Sequence, residues 1–220
     1  MKASSSIIIC ILGFFILQSC QKDEVDIAPF NQEYFYYTFN FEKIPLYLKG
    51  SEVYIEFNHN LSYYEIVRLL RKYDFIKIPA NANITVTERS KSIRCEINAK
   101  DTIQLLNILR TLNKDSIHYA VPVFTFIKND PKSFAIPTNT INCDPLVSEE
   151  ELIKLISKYD LLITKSKPEH LYYLLEIKKI NTGFESIEIA NSLYETGKFT
   201  YCCPDLLSQG IILLSDFTSD

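Results

Sequence analysis

One segment occurs twice in this chain, and that repeat limits the fold more than any other feature. Ser62-Tyr63-Tyr64-Glu65-Ile66-Val67-Arg68-Leu69-Leu70-Arg71-Lys72-Tyr73-Asp74 aligns with Ser148-Glu149-Glu150-Glu151-Leu152-Ile153-Lys154-Leu155-Ile156-Ser157-Lys158-Tyr159-Asp160. Both copies open on a capping box, Ser62 with Glu65 and Ser148 with Glu151, in which each residue satisfies a free backbone N–H of the other at a helix start. Both carry an apolar face at helical spacing, Ile66/Leu70/Tyr73 and Leu152/Leu155/Ile156/Tyr159. Both end Lys-Tyr-Asp ahead of an apolar strand. Asp101/Gln104 and Thr182/Glu185 offer similar boxes to a further helix in each copy, and Gly197 suits the position just past a helix end. The closing strands align as well, Tyr119-Ala120-Val121-Pro122 with Tyr201-Cys202-Cys203-Pro204.

The same order of elements is therefore predicted twice. The first pass has strand 52–57, helix 62–73, strands 75–78 and 93–98, helix 102–113 and strand 117–126. The second has strand 140–143, helix 149–159, strands 161–165 and 171–178, helix 183–196 and strand 199–203. Each pass reads β-α-β-β-α-β, the split βαβ or ferredoxin-like arrangement, with two helices on one face of a four-stranded antiparallel sheet and the other face open. Upstream, Tyr34 to Leu48 is aromatic and β-rich with a break near Asn40 to Lys43, which reads as a hairpin. The expected class is α+β: two tandem ferredoxin-like units preceded by an aromatic β-hairpin. The first domain is placed at 34–127, a polar, turn-rich linker at 128–137, the second domain at 138–208 and a C-terminal tail at 209–220. The tail carries an apolar patch, Ile211 to Leu214.

Composition removes several functions. The net charge of −4 and the lack of a Lys/Arg cluster argue against nucleic acid, including the RNA-binding modules that share this topology. Only five glycines are present and none cluster, which disfavours phosphate-cradling loops and nucleophile elbows. His59, His118 and His170 are scattered without a motif. Glu149-Glu150-Glu151 sits in the first turn of a helix, where the dipole favours negative charge. Neither an enzyme nor a cofactor is expected. Besides Cys10 and Cys20 the cysteines are Cys95, Cys143, Cys202 and Cys203, with no C-x-x-C and no neighbouring histidine to suggest zinc. Cys202 and Cys203 point to opposite faces of a strand, so at most one of them meets Cys143 on a neighbouring strand. Cys143 and Cys202 form the candidate disulfide; buried free thiols are the other reading.

The N-terminus sets the compartment. Lys2, an apolar run from Ile7 to Ile16 and small Ser19 form a secretory signal. The run is about half the length that spans a bilayer. Closed by Leu17-Gln18-Ser19-Cys20, it resembles a bacterial lipoprotein signal. The resemblance implies that residues 1–19 are removed, that Cys20 is lipidated and that 20–33 is a tether to a membrane. Gln21-Lys22-Asp23-Glu24 is similar to the acidic export tags of some surface lipoproteins, so the outer membrane or cell surface is the expected location.

A second resemblance lies near the other end. Ile189-Ala190-Asn191-Ser192-Leu193-Tyr194-Glu195-Thr196-Gly197-Lys198-Phe199-Thr200-Tyr201-Cys202-Cys203-Pro204-Asp205-Leu206 resembles the close of the propeptide of subtilisin-like serine peptidases. The shared features are an Ala-Asn pair, an aromatic-Glu-x-Gly turn, an aromatic strand and a Pro-Asp exit. Residues 34–126 resemble, more loosely, the extra prodomain of the fervidolysin-like branch. The family implies a propeptide that inhibits and helps fold a peptidase, with its C-terminal segment lying in the substrate cleft. Here that segment is Cys203, Pro204, Asp205, Leu206 and Leu207. Leu206 replaces a common aromatic, and Cys202-Cys203 replaces a small-acidic pair. No peptidase domain follows before Asp220, so the expected role is a non-catalytic lipoprotein acting on a subtilisin-like peptidase in trans. A surface binding module for another protein or a glycan, and the remnant of a truncated peptidase, are the alternatives.

Overall fold

The computed structural model describes residues 33–78, 84–87, 90–114, 119–130, 132–167 and 172–209. The signal, Cys20, nearly all of the tether, His118, His170 and the tail beyond Gln209 lie outside the described residues. The described chain is a mixed α+β protein in which a mostly antiparallel sheet of ten strands carries four helices.

Three of the four helices form where serine or aspartate precedes an apolar stripe. In α1 (Tyr63–Leu70) the Ser62 hydroxyl accepts the Glu65 N–H at 3.3 Å and the Glu65 carboxylate accepts the Ser62 N–H at 2.7 Å, a complete capping box. In α2 (Thr102–Leu112) Asp101 accepts the Gln104 N–H at 2.8 Å. In α3 (Glu149–Ser157) Ser148 accepts the Glu151 N–H, but the Glu151 carboxylate turns to Lys198 Nζ at 2.6 Å, so only half of the expected box closes. In α4 (Glu185–Tyr194) the expected Thr182 cap is displaced. The helix starts after the Gly183-Phe184 turn, and the Glu185 carboxylate instead accepts from the backbone of Asn181, Thr182 and Gly183.

The strands are β1 (Tyr34–Tyr37), β2 (Lys43–Asn58), β3 (Ile76–Lys77), β4 (Thr85–Val86), β5 (Ser90–Ile97), β6 (Tyr119–Thr125), β7 (Phe134–Pro145), β8 (Leu161–Lys167), β9 (Tyr172–Ile177) and β10 (Phe199–Gln209). In the first half the order across the sheet is β3-β5-β2-β6, and in the second it is β8-β9-β7-β10. Numbered within its own half, each set runs second, third, first, fourth. Pro122 faces Val53 in the first half and Pro204 faces Ile141 in the second, so the aligned prolines hold matching places beside the first strand.

Three features depart from two separate units. β2 runs 16 residues and joins the hairpin's second strand to the expected strand 52–57, with a register break between Leu48 and Val53. β7 begins at Phe134, inside the stretch read as linker, and meets β6 at Phe124↔Ala135, which fuses both halves into one sheet. The sheet face of the first half, expected to be open, is partly covered: Tyr54, Tyr119, Val121 and Val123 pack with Ile136 of β7.

The cores are shared for the same reason. Val53, Ile55, Phe57, Ile93, Ile66 and Leu109 fill the first, and Ile141, Cys143, Leu152, Leu175, Leu193 and Cys202 fill the second. Phe184 and Ile187 of α4 belong to the first core, while Ala190, Leu193 and Tyr194 of the same helix belong to the second. The hairpin alternates likewise, with Tyr36 in the first core and Tyr37 in the second, as period two along a strand requires. Asn191 Nδ2 donates to the Phe35 carbonyl at 2.8 Å, and the Tyr34 ring meets Phe124 and Phe184 at 5.3 and 5.0 Å between centroids. At the hairpin tip Phe39 rests on Tyr201 and Phe41 on Tyr194. Asn113, the last residue of α2's final turn, bonds Ala120 through both its amide atoms and reaches the Asn181 carbonyl at 3.1 Å.

Candidate functional site

The segment Cys203–Leu207 lies within β10 rather than projecting from the fold. It is paired antiparallel to β7, with Cys203 opposite Asn142, Pro204 opposite Ile141 and Leu207 opposite Ile136. A shift in register between Pro204 and Leu206 accommodates the proline, which has no N–H to give to a ladder. Leu206 and half-buried Cys203 pack against the first core. Asp205 is held by two β7 hydroxyls, Thr140 Oγ1 at 3.1 Å and Thr138 Oγ1 at 3.4 Å. Leu207 alone turns outward, 43 % exposed. Among the described residues β10 pairs only with β7, which leaves its other side as a sheet edge with β1 close by.

The two candidate disulfide partners are brought together. Cys202 and Cys143 are directly opposed across β10 and β7, both wholly buried, as free thiols within hydrogen-bond reach. Burial, and then the neighbouring Cys143, push the Cys202 thiol well up. Burial and the Asp205 carboxylate push Cys203 up to about 11, and burial alone pushes Cys95 up to about 12. None of these three is a thiolate near neutral pH, which makes each a packing group and a poor nucleophile. His59 is exposed in the turn after β2. Among the described residues no group of three or more His, Cys, Asp or Glu is placed to hold a metal, and no helix is long and apolar enough to cross a membrane.

Sequence reasoning missed a concavity among the described residues. A partly open groove of about 750 Å³ runs between the outer face of β2 and β5 and the adjoining ends of β7 and β10. One wall carries Glu52, Tyr54 and Arg94; the other carries Phe134, Ile136 and Leu207. The Arg94 guanidinium stacks over Phe134 at 4.7 Å from the ring centroid. Glu52 and Glu96 stand directly opposite across β2 and β5, a like-charge pair that Lys49 relieves by binding one Glu52 oxygen. The other oxygen, Oε2, is shielded, makes no hydrogen bond and has Arg94 Nε 4.0 Å away. Deeper along the same face, Glu56 accepts the Tyr119 hydroxyl at 2.9 Å and the Tyr54 hydroxyl at 3.3 Å, and burial raises both phenols. Sequence placed this face only as the open side of the sheet; the second wall comes from strands about forty or more residues away, which local patterning does not report.

Such a surface can hold an apolar segment through contacts with Tyr54, Phe134, Ile136 and Leu207. No family model matches the chain, and no curated protein or solved structure matches it.

Proposed function

We propose that this chain is a non-catalytic, lipid-anchored binding protein built on two ferredoxin-like units, and that it engages a subtilisin-like peptidase in trans. The observation that carries the reading is the strand order second, third, first, fourth, present in both halves and closed each time by a proline-bearing strand. In the second half that closing strand holds the residues that resemble the peptidase propeptide. Fold alone does not fix function, so the reading rests on the last strand. The edge of β10 and outward Leu207 are the parts free to meet a cleft. An edge adds a partner strand through main-chain bonds, and a side chain on it fills a subsite.

The test uses the mature protein and purified subtilisin-class peptidases, with hydrolysis of a small peptide substrate as readout. The expected result is inhibition by the wild-type protein, weakened at least tenfold, about 1.4 kcal/mol, by Leu207→Asp with no change in melting temperature. Leu206→Asp instead lowers the melting temperature, because that side chain packs on the core. Absence of inhibition and of binding across the class overturns the reading. The groove favours a second role, a surface module for another protein or glycan; capture of such a ligand without peptidase inhibition would establish it.

A further inference from the structure

We propose that Cys143 and Cys202 become joined by a disulfide that fastens β10 to β7 inside the second core. The two residues stand directly opposite each other in the antiparallel ladder of these strands. Opposed residues of such a ladder have Cα atoms about 4.5 or 5.5 Å apart. A disulfide spans Cα separations of about 4.4–6.8 Å, so the backbone needs no rearrangement. Both side chains point to the same side of the sheet, since both are wholly buried in the second core. The other described cysteines do not compete. Cys203 stands opposite Asn142 and packs against the first core, and Cys95 on β5 belongs to that first core. The bond closes a loop that contains α3, β8, β9 and α4, so it ties the end of the second half back to its beginning.

The chemistry takes a disulfide oxidant, the class of reagent that exported proteins meet, and only for that supply does the proposal rest on the exported reading. One cysteine thiolate attacks a sulfur of the oxidant, forming a mixed disulfide and releasing half of the oxidant as a thiolate. The other cysteine thiolate then attacks the protein-bound sulfur and displaces the second half. The cysteine pair loses two protons and two electrons, and the oxidant becomes two thiols. The exchange occurs while β10 is docking, because the finished fold exposes neither sulfur. The same burial then shields the closed bond from reductants.

Refolding tests this. The mature protein is reduced, unfolded and refolded in a glutathione buffer that contains the oxidised form, then quenched with acid, digested and mapped by mass spectrometry. The expected result is a peptide with Cys143 linked to Cys202, with Cys95 and Cys203 open to alkylation after denaturation. Cys203→Ser should keep the link and Cys202→Ser should abolish it. Reducing the linked protein should raise its unfolding equilibrium constant in urea roughly tenfold or more. Should Cys202→Ser fail to fold, the maps of the wild-type protein and of Cys203→Ser decide alone. Cys143 and Cys202 both found as thiols in the refolded protein overturn the proposal. So does Cys143 linked to any other cysteine, in the same chain or in a second copy. The oxidant is supplied in the test tube, so a negative result counts against the cross-link and leaves export and peptidase binding untouched.

Discussion

Gly183 has space for a hydrogen and nothing larger. Its φ is +79°, and a Cβ there would stand 2.6 Å from the Val121 Cα and 2.8 Å from the Pro122 ring. The turn before α4 is pressed onto β6, so this glycine sets how closely the second half seats on the first. Gly183→Ala is expected to destabilise the protein by about 2–4 kcal/mol, through left-handed backbone strain plus overpacking. Urea unfolding measures it, and a loss below about 0.5 kcal/mol would show that β6 gives way easily. Gly197 is the internal control: its φ is +70° but open space surrounds it, so alanine there meets strain without collision. Sequence marked Gly197 as a residue past a helix end and Gly183 only as the start of a helix. It gave no sign that Val121, some sixty residues earlier, lay against one of them, because a contact of that kind leaves no local pattern. Asn113 was invisible for the same reason, since a polar residue at a helix end reads as an ordinary cap until its partners Ala120 and Asn181 are placed.

Helices and short strands were legible because each is encoded within a few residues of itself. Ser62 with Glu65 starts α1 where expected, and the stripe of Ile66 and Leu70 is buried as its spacing requires. The difference between the two repeats gives a prediction. Ser62→Ala is expected to cost about 1 kcal/mol, and Ser148→Ala measurably less, since only one side of its box is made and Glu151 keeps its bond to Lys198. Equal losses in urea titrations of the two variants would count against the asymmetry. Strand extents were read less well. β2, β7 and β10 each run past their expected ends, because one stretch of each pairs within its own half and another closes the junction. The groove belongs to that junction, so it was hidden together with it, whereas residues 203–207 were legible as a strand exit but not as a paired strand.

Several ionisable groups with raised titration lie at the first core and the junction. Burial, aided by Glu188, raises Tyr34 to about 12; burial, aided by Cys203, raises Tyr36 to about 12; burial raises Cys95 to about 12 and, with Asp205, Cys203 to about 11. In each case the folded protein holds its proton more tightly than the unfolded chain, where phenols and thiols titrate near about 10 and 8.5. The stability they allow is complete below those unfolded values and is lost as pH rises through the raised ones. Urea midpoints are therefore expected to hold to pH about 8 and to fall progressively toward pH about 11, with the tyrosinate absorbance due to Tyr34 and Tyr36, isolated by their Phe variants, appearing together with unfolding. Ionisation of these phenols in a still-folded protein would contradict the account. The shared helix α4 has a consequence in time as well. Chains are synthesised from the N-terminus and early domains tend to fold first. Here the earlier half cannot finish ahead of the later one, because Phe184 and Ile187 sit in its core and Leu206 packs against it. Residues 184–206 must therefore emerge before the earlier half is complete, so during manufacture the first half waits as an open chain on the second.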